Sequence, residues 1–452
     1  MSEAVEVEEI PAGFRQTQLG PRTITVPEHW SRVRIEDVSE VVTRGKQPTY
    51  VDEPGVPVLN QSCIYWDGYH QENLKYLDED VAKDWKPKHF ATKGDILINS
   101  TGQGTLGRAL YWDKESGTHA IDSHITRVSV DSDTIDPEFL RYYLESTWGQ
   151  TMLYVFCVAG STGQIELSKT DLMSMPLLCP PVEEQRRIAD ILSTVDEQIQ
   201  QTDEVINKTE ELKRGVLNEL IPRGINEHGE LRPFPEDQPD LYDEVRRCTI
   251  PTGWEVSSLQ ELCKEDVTYG IVQAGPHVDD GVPYIKTGDM TDGKLELKGL
   301  SRTSTEIAED YDRSKIRTGE LVITIRATVG VVHQVPPELD GGNLTQGTAR
   351  ISPKDSIDNR YLLWAIRTNI VQSLIDARTK GSTFNEITLG TLRKVPIPYP
   401  VNLEEQKIIA ERLDKISEKL DEERSYLHNL QELKDGLMQD LLTGKVRVNT
   451  DN

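Results

Sequence analysis

Catalytic signatures are what this sequence most plainly lacks. No Gly-x4-Gly-Lys-Ser/Thr phosphate loop, no Gly-x-Ser-x-Gly nucleophile turn and no His-Glu-x-x-His metal pair occurs in its 452 residues. A base methyltransferase needs Asn/Asp-Pro-Pro-aromatic; the nearest string, Leu178-Cys-Pro-Pro-Val182, carries Cys and Val at the deciding positions. Glu296-Leu-Lys298 could be half of a nuclease metal site, but a three-residue match is common by chance and no convincing partner acid precedes it. The expectation is a non-catalytic chain that holds no metal. Long apolar runs are absent too, which argues against a membrane-spanning helix. The N-terminus is acidic and has no apolar signal core, so 1–13 reads as a disordered tail. Cysteine is scarce and odd in number: Cys63, Cys157, Cys179, Cys248 and Cys263 are scattered, with no Cys-x-x-Cys and no His cluster beside them. They read as reduced thiols of a cytoplasmic protein, not as a disulfide frame or a zinc site.

Positive charge is also in short supply. Fifty Lys and Arg face 76 Asp and Glu, a formal net charge of −26. Taken naively, this opposes binding to nucleic acid. The alternative is a surface made acidic to suit a salty, halophilic cytoplasm. At molar salt the screening length is about 3 Å, so general repulsion from phosphate would fade and short-range contacts would decide recognition. Activity that peaks at low salt and vanishes in molar KCl would argue against that adaptation.

What the chain does contain, it contains twice. Pro180-Pro-Val-Glu-Glu-Gln-Arg-Arg-Ile-Ala189 opens one segment and Pro400-Val-Asn-Leu-Glu-Glu-Gln-Lys-Ile-Ile-Ala410 opens another. Glu184, Gln185, Ile188, Ala189, Leu192, Val195 and Ile199 meet identical or similar residues 221 places later: Glu405, Gln406, Ile409, Ala410, Leu413, Ile416 and Leu420. Apolar steps alternating between four and three give a coiled-coil seam. Proline followed by acids suits a helix N-terminus. About 39 residues at 1.5 Å each make a rod of roughly 58 Å. Thr202, Thr209 and Glu423 interrupt the seam. Two rods with the same unsatisfied stripe are expected to pack on each other.

The globular parts repeat as well. Val26-Pro-Glu-His-Trp30 matches Ile250-Pro-Thr-Gly-Trp254, and Gly94-Asp-Ile-Leu-Ile-Asn99 matches Gly319-Glu-Leu-Val-Ile-Thr324. Asp136-Pro-Glu-Phe-Leu reads as a capped helix start, matched by the stretch from Ile357 to Leu363, and Gly160-Ser-Thr162 matches Gly381-Ser-Thr383. Cys63 to Ala91 has little in common with Asp289 to Arg317. The frame is held while the loops diverge. The expected fold is α+β: two globular mixed α/β domains, 14–178 and 250–398, joined by two long antiparallel coiled-coil helices, 179–222 and 399–448, with an internal pseudo-two-fold repeat. An irregular, Pro-bearing connector runs over 223–249.

One motif misleads. Gly102-Gln-Gly104-Thr-Leu-Gly107 fits the dinucleotide fingerprint, with Asp122 about twenty residues on. That fingerprint needs a helix N-terminus after it, whereas residues 108–114 read as strand and turn. The matching place in the second half, Arg326-Ala-Thr-Val-Gly330, keeps only the last glycine. A hairpin loop is the expected structure.

With these residues laid out, the chain resembles the DNA-specificity subunit of type I restriction–modification enzymes, over about residues 14–448. The marks are the duplicated Pro-x-x-Glu-Glu-Gln helices, the Ile/Val-Pro-x-x-Trp openings, the Gly-Asp/Glu-Ile/Leu-Leu/Val-Ile strands and the Gly-Ser-Thr turns. The resemblance implies two target-recognition domains on double-stranded DNA. It also implies spacer helices that dock two methyltransferase subunits, and a nuclease–translocase in some complexes. S-adenosylmethionine belongs to the methyltransferase partner, with no cofactor in this chain. The target would be two short sequences separated by unread bases, the rod setting the gap against a DNA turn of roughly 34–36 Å.

Base readers should sit in the loops between held strands. The candidates in the first domain are Ser100, Thr101, Gln103, Arg108, Ser161, Thr162, Gln164 and Lys169. In the second they are Arg326, Thr328, Gln346, Arg378, Lys380, Ser382, Thr383 and Asn385. The stretch from Arg378 to Lys394 holds four basic residues and one acid, against the overall charge. Partner docking and spacing fall to the rods: Glu184, Gln185, Ile188, Leu192, Val195 and Ile199, with Glu405, Gln406, Ile409, Leu413, Ile416 and Leu420. Any single loop residue could equally be a solvated turn. The competing classes are a coiled-coil adaptor without DNA specificity and a dinucleotide-dependent enzyme resting on the Gly102 motif alone.

Overall fold

Both globular halves are built on the same four-stranded antiparallel sheet. In the first half the order is Ala109–Tyr111, Ile96–Asn99, Ile125–Val130, Ser39–Arg44; in the second it is Val332–Gln334, Leu321–Thr324, Thr348–Ile351, Thr268–Tyr269. The computed structural model describes residues 10–19, 22–159, 165–245, 248–291, 293–379 and 385–449. Two units result: Met1–Asp203 with Ser425–Asn452, and Glu204–Arg424.

The central strands are apolar because both faces are covered. Ile96, Leu97 and Ile98 are wholly buried, as are Leu321, Val322 and, within 1%, Ile323. Each sheet also buries one arginine. Arg127 Nε donates to Asp95 Oδ2 (2.5 Å), and Arg350, 3.9 Å from Glu320 at the matching place, donates to Glu265 and to Lys315 O (2.6 Å). A buried cation is tolerable only when paired and hydrogen-bonded. Asp95 therefore also accepts from Thr92 N (2.5 Å), and Ser352 donates to Glu320 (2.5 Å).

Each sheet is followed by a short capped helix. Asp136 accepts from Phe139 N (2.9 Å) and Pro137 occupies the first turn of Pro137–Glu145; Asp358 accepts from Arg360 N and Tyr361 N (both 3.0 Å) at the start of Asn359–Arg367. The segment beginning at Gly102 is a hairpin loop, since the strands flanking it pair antiparallel, Ile96 with Tyr111 and Ile98 with Ala109. The connector over 223–249 is less irregular than its prolines suggest. Strand Tyr242–Val245 pairs with Cys248–Pro251, as Phe14–Leu19 pairs with Arg22–Pro27. The hairpin leading into each Pro-x-x-Trp opening is thus a further repeated feature.

The long helices are Val182–Arg223 and Leu403–Leu441, each with two acids in its first turn. Each contributes to both units. In the first unit Asp196 meets Lys434 (2.6 Å) and Gln198 meets Tyr426 (3.2 Å), so the segments run antiparallel. In the second, Glu210 meets Arg424 (2.6 Å) and Lys213 donates to Ser417 (3.1 Å), again antiparallel. The Asp196–Lys434 and Ser417–Lys213 contacts are one contact made twice, since their members lie 221 residues apart. Thr202, which breaks the apolar seam, turns its hydroxyl back onto Gln198 O (2.7 Å), so no polar group is left open there. No helix among the described residues is long and apolar enough to cross a membrane.

Candidate nucleic-acid interface

The duplicated rod openings have a definite job inside each unit. Glu184 accepts from the Trp30 indole Nε1 (3.2 Å) and hydrogen-bonds His29 Nε2 (2.9 Å). Glu405 accepts from Trp254 Nε1 (3.1 Å), from Ile225 N (3.1 Å) and from two nitrogens of Arg232 (2.5 and 3.2 Å). Gln185 Oε1 accepts from Asp136 N (2.8 Å), and Gln406 Oε1 accepts from Asp358 N (2.7 Å). Each glutamine so grips the capping residue of its domain helix. Its amide donates to the proline carbonyl that precedes the rod: Gln185 to Pro180 O (2.7 Å), Gln406 to Pro400 O (2.8 Å).

The same tryptophans receive the far ends of the rods. Gly224 (φ +62°) and Gly444 (φ +72°) end the two helical segments in the left-handed region. A Cβ at Gly224 would stand 2.6 Å from Trp254 Cζ2, and one at Gly444 would stand 2.5 Å from Pro27 Cδ and 3.2 Å from Trp30 Cη2. Trp30 therefore joins the start of the first rod to the end of the second, and Trp254 does the reverse. The apolar packing agrees: Ile188, Ala189, Leu192, Met438, Leu441 and Leu442 share the first core, and Leu217, Leu220, Ile221, Ile409, Ala410 and Leu413 share the second.

This corrects the rod residues assigned to partner docking. Glu184, Gln185, Ile188, Leu192, Gln406, Ile409, Leu413 and Leu420 are buried within their own units, and Glu405 is half-buried beneath Arg232. Val195, Ile199 and Ile416 are half-buried on the same faces. What the rods expose is a different pair of positions. Val205 and Leu212 recur 221 residues later as Tyr426 and Leu433, and all four are exposed, Leu212 by 56% and Leu433 by 50%.

On the loops the candidates separate. Ser100 is fully buried and bonded to Thr126 Oγ1 (2.6 Å), so it belongs to the frame and not to a reading surface. Thr101 is bonded to His124 Nδ1 (2.8 Å) and donates to Gln61 Oε1 (3.2 Å). Gln103 stands exposed at the tip of its loop. Arg108 reaches back to Gly104 O (2.8 Å) with its guanidinium 4.6 Å above the Tyr65 ring, a brace for the loop. Lys169 is exposed at the mouth of a groove of about 940 Å³ that Arg44, Thr101, Ser123 and His124 also line.

In the second unit Arg326 is held by Glu386 (3.1 and 3.0 Å), and Ala327 N donates to Asn385 O (2.9 Å). Ala327 sits at φ +62°, an uncommon conformation for a residue with a Cβ. The Arg326–Glu386 bridge matches Thr101–Glu166 in the first unit, so each unit brings the same two loops together. Thr328, Gln346 and Asn385 are exposed. Arg378 is half-buried and donates through Nη1 to Leu374 O (2.8 Å) at the end of its own helix. Ser161, Thr162, Gln164, Lys380, Ser382 and Thr383 lie outside the described residues. Glu296, the acid of the nuclease-like triplet, is paired with Lys294 (3.0 Å). Sequence reasoning missed the glutamate–tryptophan junctions, although both motifs were visible as repeats; their covariation in position was the usable signal.

Comparison with known proteins agrees with this architecture. The family profile described as the type I restriction modification DNA specificity domain matches residues 27–211 and again 251–430. The putative type I restriction enzyme MjaX specificity subunit of Methanocaldococcus jannaschii is 28% identical over 451 residues, covering 97% of each chain. The type I restriction enzyme EcoBI specificity subunit of Escherichia coli is 24% identical, covering 94% of this chain and 87% of its own. The crystal structure of the S subunit of a type I restriction–modification system from M. genitalium superposes with a TM-score of 0.56 at 16% identity, covering 91% of this chain and 96% of that one. A chain from a structural study of type I R-M complex assembly gives 0.53 at 20% identity, covering 93% and 99%. With both halves matched by one profile and the whole length shared with such relatives, the chain belongs to the type I restriction–modification DNA specificity family.

Proposed function

We propose that this chain is the non-catalytic specificity subunit of a type I restriction–modification complex, reading a bipartite double-stranded DNA target in which the two half-sites flank unread bases. One observation carries the reading: two copies of one frame, each matched to the DNA specificity profile, present divergent loops from equivalent positions. Shared frames give shared placement, and differing loop side chains give two different half-sites. Gln103, Thr328, Gln346 and Asn385 have the exposure and the amide or hydroxyl chemistry for base edges.

The rods dock two methyltransferase subunits. Support comes from the exposed pairs Val205/Leu212 and Tyr426/Leu433, since equivalent apolar patches suit two copies of one partner. S-adenosylmethionine and adenine methylation belong to that partner, and cleavage belongs to a nuclease–translocase subunit where one joins. The complex works in the cytoplasm, and the acidic surface suits high salt there. The test is methylome sequencing of a host that carries the methyltransferase with and without this chain. A two-part methylated motif present only with the chain is expected. Unchanged methylation, or methylation by the isolated chain, overturns the reading.

A further inference from the structure

An acidic chain that binds DNA needs somewhere for the phosphates to rest, and the first unit offers one cluster of lysines for them. Residues 85–93, Trp-Lys-Pro-Lys-His-Phe-Ala-Thr-Lys, hold three lysines and no acid. The turn Pro87–His89 exposes Lys86 and Lys88 on either side of a proline. Lys46 arrives from the end of strand Ser39–Arg44 and sets its ammonium 4.9 Å from the centroid of Trp85, the residue before Lys86. All three are exposed, and none forms an ion pair among the described residues. The three charges are close enough to be felt together: burial first, then Lys88, Lys46 and Lys86, hold the His89 imidazole below its usual value.

The cluster adjoins the groove of the first unit. Lys46 N donates to Ile121 O (3.0 Å), and Gln47 accepts from Ser123 Oγ (2.8 Å), while Ser123 and His124 line the groove. Among the described residues the second unit has no equivalent. Ile271, buried to 1%, takes the place of Lys46. Its matching turn, Asp312–Ser314, mixes Asp312 among Arg313 and Lys315, and Arg317 is spent on Glu265 (3.3 Å).

We propose that Lys46, Lys86 and Lys88 form a phosphate-binding ridge that seats the DNA backbone beside the groove of the first recognition unit, and that this unit carries more of the electrostatic anchoring than the second. The inference rests on the DNA-reading function above. Backbone contacts of this kind position the duplex and set salt dependence without choosing bases. The ammonium groups are point charges on flexible stems, which suits phosphates and not a base edge.

The experiment compares the full chain with Lys46→Gln/Lys86→Gln/Lys88→Gln on a mixed-sequence 40-base-pair duplex, measuring affinity by fluorescence anisotropy from 50 to 200 mM KCl. Each phosphate contact contributes a slope of about 0.9 in log K against log salt, so losing three flattens the slope by about 2.7. Across a fourfold salt change the variant should lose roughly 40-fold less affinity than wild type, from a weaker start. A charge-matched control, Lys407→Gln/Lys415→Gln/Lys419→Gln, removes lysines that sit beside acids of their own helix and should leave the slope in place. An unchanged slope in the ridge variant, or an equal flattening in the control, overturns the ridge alone. A wild-type chain that binds no duplex at 50 mM KCl overturns the DNA reading with it.

Discussion

Replacing Gln406 by leucine tests whether the rod openings act as locks. The side chain is fully buried, accepts from Asp358 N (2.7 Å) and donates to Pro400 O (2.8 Å) and Ser356 O (3.2 Å). Leucine keeps much of the volume and breaks all three bonds, so the loss is in polar satisfaction and not in packing. An orphaned buried group costs about 1–3 kcal/mol. Pro400 O, the buried partner, falls at the lower end, about 1 kcal/mol, because its oxygen has a second lone pair; half-buried Asp358 N has one hydrogen and costs about 1–2 kcal/mol, and exposed Ser356 recovers its bond from water. The sum is about 2–3 kcal/mol. In a cooperative unit the size of Glu204–Arg424, each kcal/mol moves Tm by about 2–4 °C. Calorimetry should therefore show one transition lowered by about 4–12 °C. The exposed control Gln273→Leu, in the same unit, should shift it by no more than about 1 °C. A Gln406→Leu transition within 2 °C or so of wild type would refute the lock, since a buried carbonyl and a half-buried amide left without partners cost more than that.

Three further outcomes follow from the same structure. Four residues inserted beside Glu204, in the exposed part of the first rod, should lengthen the unread gap in the methylated motif and leave both half-sites unchanged; a stable variant with the original gap refutes the spacer role. Leu212→Glu with Leu433→Glu should weaken methyltransferase capture at least tenfold in a pull-down titration while leaving Tm nearly unmoved, because both side chains are exposed; unaltered capture places the docking surface elsewhere. Burial pushes the thiols of Cys63 up to about 11 and of Cys157 and Cys263 up to about 12, and raises Cys179 as well. Only half-buried Cys248 should then react promptly with a thiol reagent at pH 8, the other four appearing on unfolding.

Several features were legible before any coordinate. The Asp136-Pro137 helix start, the hairpin at Gly102 and the antiparallel rods all depend on neighbours a few residues away or on a repeating stripe. Ser100 was misjudged for a physical reason. Its neighbours Thr101 and Gln103 face outward, and a strand end gives no local sign of which hydroxyl a second strand will cover; Thr126 does the covering. The count of cations around Arg378 says nothing about where its flexible guanidinium rests; the fold sets one of its nitrogens on a carbonyl of its own helix. The lysine ridge was hidden by its construction: Lys46 lies some forty residues from its partners, inside a chain whose total charge is strongly negative.

The sequence by itself determined that there are two copies of one frame, that each copy ends on a long helix, and that the copies differ where their loops differ. Periodicity and duplicated motifs carry that, because both are properties of the chain read in order. Only the tertiary structure decided what the motifs are for. Glu184 and Glu405 looked like residues awaiting a partner and proved to be holding Trp30 and Trp254, which lie 154 and 151 residues away. A buried carboxylate must be satisfied by whichever donor the fold delivers, and that donor is chosen by packing at long range, which no local pattern records.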